Sequence, residues 1–151
     1  MAKFSAEQAV SVLAINQVIN EWGDELDRND GLSIRGANVL TEDCRYFVGG
    51  EWRDGLDAAA QFYADRKARL QAAGGAPVMR HLITNLKVTF DSASSAKAEF
   101  LLLFFAHVGE PPFVGYSDPL AVADVHMECR CGDDGDWLIS RFESEQIFQR
   151  G

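Results

Sequence analysis

The chain has three histidines, and each stands in a strand-like run rather than in a loop. His81 lies in Met79-Arg80-His81-Leu82-Ile83-Thr84-Asn85, His107 closes Phe104-Phe105-Ala106-His107, and His126 sits between Val125 and Met127. Imidazole is the side chain best suited to exchanging protons near neutral pH. On a sheet curved over helices, such groups can serve a concave, mostly apolar pocket with a few inward polar atoms. Alternation places His107 on one face with Leu101, Leu103 and Phe105, either as a satisfied core histidine or as part of a cavity wall. His81 shares its face with Ile83, Asn85 and Lys87, a mixed set. Two histidines and an acid can also ligate a metal, but no helical His-x-x-x-His or comparably close spacing is present, so no metal site is predicted.

Carboxylates and phenols complete the candidate set. Asp27 falls near the end of the first helical stretch, where the helix dipole opposes a negative charge, so a buried imidazole partner would reward it. The alternative is a solvated acid in the run Glu21, Asp24, Glu25, Asp27. Tyr46 lies in a short strand candidate. Asp124, His126 and Glu128 alternate with Val125, Met127 and Cys129, the pattern of a polar outer face, unless curvature turns one of them into a cavity.

The elements that must position these groups change in kind midway. Ser5-Ala6-Glu7-Gln8 reads as a capping box, and Val12, Leu13, Val18, Ile19, Trp22 and Leu26 follow near helical spacing, giving a long amphipathic helix that ends near Asn29-Asp30-Gly31. Leu32 to Leu40 reads as a short second helix. Cys44 to Val48 and the region of Trp52 flank Gly49-Gly50 as a hairpin, after which Asp54, with Asp57, caps a third helix over Ala58 to Ala73, ended by Gly74-Gly75. Val78 to Phe90, Ala98 to Val108, Leu120 to Cys131 and Trp137 to Phe148 then read as four long strands. Helices followed by long strands with short turns indicate α+β, a bent antiparallel sheet curling around the helices. The one long connection, Gly109 to Pro119, carries Phe113 and Tyr116 and is either a flap over an open end of the sheet or a structural surface loop.

A chain of 151 residues is read as a single domain, 1–151, large enough to bury roughly two thirds of its unfolded surface. A net charge of -9 without a dense Lys/Arg run disfavours nucleic acid and anionic membranes as partners. No leader-like or membrane-spanning apolar stretch is present, so the expected location is cytoplasmic. Cys44, Cys129 and Cys131 are an odd set without a completing pair for zinc and are read as free thiols. Phe100, Leu102 and Phe104 are expected on an outer sheet face, where such an apolar patch would pair with another copy in a homo-oligomer, dimer or trimer.

Trp22-Gly23-Asp24-Glu25-Leu26-Asp27, then Arg45-Tyr46, then Arg80-His81, then Phe105-Ala106-His107 together resemble the pattern of scytalone dehydratase and the SnoaL-like proteins of the nuclear-transport-factor-2-like superfamily. The resemblance spans roughly Ile19 to Phe148. It implies a cone-shaped, bent sheet, mixed in strand direction, packed around the N-terminal helices and enclosing a deep pocket. By position it implies Asp27 as the carboxylate paired with a pocket histidine, Tyr46 as a phenol holding a water or substrate oxygen, and His81 and His107 as the two imidazoles. Asp124, Leu26 and Phe105 fall at substrate-binding positions. Leu26 stands where the dehydratase has a second pocket tyrosine, so the pair of phenols is incomplete and scytalone itself is not carried over as the substrate. The activity implied is elimination of water, without a cofactor, from a small hydrophobic carbonyl compound, a cyclic or polyketide-like hydroxy ketone. In this expectation His107, oriented by Asp27, is the principal base and acid, His81 assists the leaving group, and Tyr46 donates to the enolate. The same pocket would suit an isomerase or polyketide cyclase. From another class, the fold also serves non-catalytic small-ligand-binding or assembly subunits.

Overall fold

The computed structural model describes residues 2–115 and 118–151. Helix α1 spans Ala6–Asn29 and opens on the expected capping box: Gln8 N–H donates to Ser5 Oγ at 3.1 Å, and Ser5 N–H donates to Gln8 Oε1 at 2.9 Å. Ile15, Val18, Ile19, Trp22 and Leu26 form its buried stripe. The helix ends where Asp30 and Gly31 both take left-handed backbone conformations, φ 56° and 76°.

No second helix follows. Residues 30–38 form consecutive turns, closed by Leu32 N–H to Asn29 C=O, Ile34 N–H to Gly31 C=O and Gly36 N–H to Ser33 C=O. Such i to i+3 closures make turns rather than an α-helix, and the left-handed Asp30, Gly31 and Asn38 bound the run at its two ends. The buried carboxylate of Glu25 pins this stretch by accepting from Asn29 Nδ2 and Ser33 N–H. Leu40 therefore opens a strand.

Strands β1 (Leu40–Val48) and β2 (Glu51–Asp54) form the glycine hairpin, helix α2 spans Leu56–Ala72, and β3 (Val78–Phe90), β4 (Ser95–His107), β5 (Ala121–Cys131) and β6 (Trp137–Gln149) follow. Asp54 does not cap α2. It is the last residue of β2 and pairs with Arg45, while Gly55 holds the cap position at φ 93° without a side-chain bond. The six strands lie in the order β2-β1-β6-β5-β4-β3, antiparallel throughout except for the parallel β1/β6 pair. This is the expected α+β cone with two helices rather than three: an open, mixed, bent sheet with α1 against β3 and β6 and α2 against β1 and β2.

The inner face is the reverse of the one expected for β4. Ala96, Ala98, Phe100 and Leu102 are buried, and Phe104 lines the cavity. Leu101, Leu103, Phe105 and His107 take the outer face. Phe100, Leu102 and Phe104 are thus the core and the pocket wall, and not an external patch awaiting a partner copy.

Strand β3 contains a second departure from plain alternation. Its pairing with β4 shifts between Thr84 and Lys87, and Asn85 sits at φ 59°. The resulting bulge changes the parity of the strand. Met79, His81 and Ile83 face inward before it, and Leu86, Val88 and Phe90 face inward after it. Unbroken alternation would group His81 with Ile83, Asn85 and Lys87, but the bulge separates Asn85 and Lys87 from the inward face of His81 and Ile83.

Candidate active site

Between the sheet and both helices lies a cavity of about 430 Å³. Its walls are largely apolar, with Trp22 and Leu26 from α1, Phe104 from β4 and Phe142 from β6. Its polar groups come from four directions: Asp30 at the end of α1, His81 on β3, Tyr63 and Arg66 on α2, and Ser144 and Gln146 on β6.

His81 is held by α1. Its Nδ1 lies 2.5 Å from Asp27 Oδ1, and its main-chain N–H donates to Asp27 Oδ1 and Oδ2 at 3.1 and 2.9 Å. That N–H is available because β3 is an edge strand. The carboxylate accepts from Nδ1–H, which leaves the lone pair on Nε2 and makes that nitrogen the basic one. The rings of Phe104 and Trp22 flank the imidazole at 4.7 and 6.1 Å between centroids. Gly23 permits the close approach of α1: a Cβ there would stand 3.2 Å from Ile83 Cδ1.

A chain of hydrogen bonds supplies the second polar element. Trp22 Nε1–H donates to Tyr46 Oη at 2.8 Å, and Tyr46 Oη and Tyr63 Oη are 2.6 Å apart. Indole nitrogen only donates. Tyr46 therefore accepts from Trp22, and either phenol can donate across the Tyr46–Tyr63 contact; when Tyr46 donates, the Tyr63 hydroxyl hydrogen is left for the cavity. Burial pushes both phenols up, Tyr46 well above its ordinary value and Tyr63 to about 12, so both are neutral donors at physiological pH. Phe142 stacks on Tyr46 with centroids 4.6 Å apart. Gly31 makes room for Tyr63, since a Cβ there would stand 2.5 Å from Tyr63 Cγ.

The model of the SnoaL-like domain family matches residues 7–143. The chain belongs to the SnoaL-like family. Solved structures of the same fold include a hexachlorocyclohexane dehydrochlorinase, LinA-type3, from Novosphingobium barchaimii, with 18% identity and TM-score 0.73 over 94% of this chain and 90% of that one. A candidate scytalone dehydratase from Novosphingobium aromaticivorans shares 17% identity with TM-score 0.67, covering 96% and 89%. ActVI-ORFA from Streptomyces coelicolor shares 14% identity with TM-score 0.73, covering 90% and 97%. No curated protein matches by sequence. At these identities the likenesses establish the fold.

Within this SnoaL-like domain the sequence-derived candidates separate into two groups. Asp27, His81, Tyr46 and Leu26 gather at the cavity, with Tyr46 one hydrogen bond behind its wall and Leu26 on it. His107, Phe105 and Asp124 do not join them. His107 is exposed on the outer face at the end of β4, where its ring meets Phe113 at 4.8 Å, so Asp27 orients His81 and not His107. Phe105 shares that outer face. Asp124 lines a separate outer depression with Asn85, Glu99 and His126. Of the expected flap, Phe113 packs on His107, while Tyr116 lies outside the described residues.

Tyr63 escaped the sequence reading, although Leu56, Ala59 and Tyr63 recur as the buried stripe of α2. A lone tyrosine on such a stripe is the signal that could have found it. The three cysteines are free, and burial pushes Cys44 up to about 11 and Cys129 to about 12. No helix among the described residues is long and apolar enough to cross a membrane.

Proposed function

We propose that the protein is a cofactor-independent lyase that eliminates water from a small cyclic or polyketide-like hydroxy ketone. The observation that carries this reading is His81, backed by Asp27, in the wall of a largely apolar cavity that Tyr63 also lines. His81, rather than His107, is the base. Its Nε2 removes a proton from the carbon next to the carbonyl, and the electron pair moves to the carbonyl oxygen as an enolate. Tyr63, polarised through Tyr46 and Trp22, donates to that oxygen. Collapse of the enolate forms the carbon–carbon double bond and expels the hydroxyl from the next carbon. The departing oxygen takes the proton now on Nε2, releasing water and restoring neutral His81. Asp27 fixes the tautomer and balances the transient imidazolium. A positioned acid or base of this kind gives roughly 10²- to 10⁴-fold.

Two structural neighbours bear names of eliminations, a dehydrochlorinase and a candidate dehydratase, which supports elimination as the reaction type. The test is a mass-resolved turnover assay of the purified protein on a panel of cyclic β-hydroxy ketones, with and without a chelator, beside His81→Ala. Loss of one water that survives the chelator and vanishes in the variant is the expected result. Turnover that retains the substrate mass would make the protein an isomerase or a water-retaining cyclase. Undiminished water loss in His81→Ala would refute the assignment of the base.

A further inference from the structure

Arg66 is a cation in the cavity that the elimination chemistry leaves unused. It stands one turn after Tyr63 on α2, and its Nη2 donates to Met79 Sδ at 3.3 Å. A thioether is a weak acceptor, and a guanidinium has five N–H donors. The acids nearby are engaged elsewhere. Asp30, also at the cavity, holds Lys67 Nζ at 2.6 Å, and Asp27 is taken by His81. Among the described residues no carboxylate forms an ion pair with Arg66, although the chain as a whole carries a charge of -9. An acidic protein thus places in its cavity wall a planar cation that no carboxylate of the described residues meets at ion-pair distance, the one acid on the same wall, Asp30, being held by Lys67. The guanidinium fork matches a carboxylate, which it can grip by two parallel bonds.

The placement also defines a span. Met79, which Arg66 touches, and His81 project from the same face of β3 two residues apart, about 6.6 Å along the strand. The same cavity has apolar walls at Phe62, Leu102 and Phe104, with Phe104 paired opposite His81. The Arg66 charge is felt at the Tyr63 hydroxyl, where it opposes the larger effect of burial. An anion held by Arg66 would therefore lie a few bonds from the carbon that Nε2 approaches.

We infer that Arg66 anchors a carboxylate subsite, so that the substrate is a small, ring-containing keto acid or hydroxy keto acid. This deepens the elimination reading and rests on it for what the captured acid then undergoes. Calorimetric titration with 4-oxocyclohexanecarboxylate and its uncharged carboxamide tests the subsite on the native protein and on Arg66→Gln, Arg66→Lys and His81→Ala. The carboxylate is expected to bind the native protein about 10- to 100-fold more tightly than the carboxamide, the worth of a charge-assisted hydrogen bond. Arg66→Gln should abolish the difference, Arg66→Lys should keep part of it, and His81→Ala should keep all of it. Equal binding of the two probes, a preference that survives Arg66→Gln, or no carboxylate binding at millimolar concentration would overturn the inference. The two readings fail separately. A carboxylate preference without turnover of any carboxylated hydroxy ketone counts against elimination alone, and turnover without the preference counts against the subsite alone.

Discussion

Asp27→Asn conserves the shape of the side chain and changes which atoms it can offer. The carboxylate now receives His81 Nδ1–H on Oδ1 and the His81 main-chain N–H on both oxygens, with Asp27 and His81 side chains only 10% and 12% exposed. An amide has one acceptor. If its oxygen stays on Nδ1–H it still accepts the main-chain N–H at 3.1 Å, but its NH₂ then stands 2.9 Å from that same N–H, donor against donor and without an acceptor. If it turns over, its oxygen takes the main-chain N–H and its NH₂ donates to Nδ1, which moves the imidazole proton to Nε2 and removes the base. The first arrangement leaves shielded donors unpaired, at roughly 1–3 kcal/mol, so the second prevails. Loss of the charged partner of the imidazolium adds about 1.5–3 kcal/mol. Together these raise the barrier by about 2.5–6 kcal/mol, or roughly 10²- to 10⁴-fold in kcat. The assay is kcat and KM for water loss on the best substrate of the panel, with thermal melting as a check that the variant is folded. A folded Asp27→Asn protein within about fivefold of native kcat would refute the tautomer argument, because even the low end of the range is larger.

Tyr63→Phe removes the donor to the carbonyl oxygen and should lower kcat by about 10²- to 10³-fold with a smaller change in KM, measured in the same assay. An unchanged kcat would mean that the enolate is stabilised elsewhere. His107→Ala alters an exposed outer position and should leave kcat/KM within about threefold of native; a large loss would return His107 to the mechanism. The protein should lose stability as pH rises above about 9. From there an unfolded chain releases its thiol protons, while burial keeps those of Cys44 and Cys129 in place up to about 11 and about 12. These groups contribute stability below the ordinary thiol value that is lost as pH climbs through their folded values. Accordingly the drop in melting temperature between about pH 8 and pH 10.5 should be smaller in Cys129→Ala than in the native protein, and an equal drop would contradict it.

The long elements were legible because each carries one kind of periodicity over many residues. The capping box at Ser5 and the stripe from Ile15 to Leu26 announce α1, and glycine pairs mark the β1–β2 turn and the end of α2. Alternation shows which residues share a face but not which face is inside. In β4 the stretch from Phe100 to Phe105 is apolar in both sets, so taken alone it does not choose a face; Lys97 and Glu99, on the parity of Leu101, Leu103 and Phe105, are the local cue that this set faces out. His107 follows the wrong face when the apolar stretch is taken without them. His81 and Asp27 meet across 54 positions where α1 lies close on β3, an approach eased by Gly23, at which a Cβ would crowd Ile83. Tyr63 is a different kind of miss. The resemblance places a second phenol beside Asp27, at the position of Leu26, whereas α2 delivers one, Tyr63, from another part of the chain.

The bulge at Asn85 bears on more than the direction of His81. Strand β3 is thirteen residues long and lies at the rim of an open sheet, where a continuous row of unpaired main-chain groups would invite another strand to add on. The kink breaks that row in the middle, Arg80 and Lys87 place charge along it, and Asp27 occupies the free N–H of His81. The carboxylate that orients the imidazole therefore also blocks an adhesive edge. A variant that removes it should become more prone to self-association, and a screen for activity alone would record that loss as a failure of chemistry.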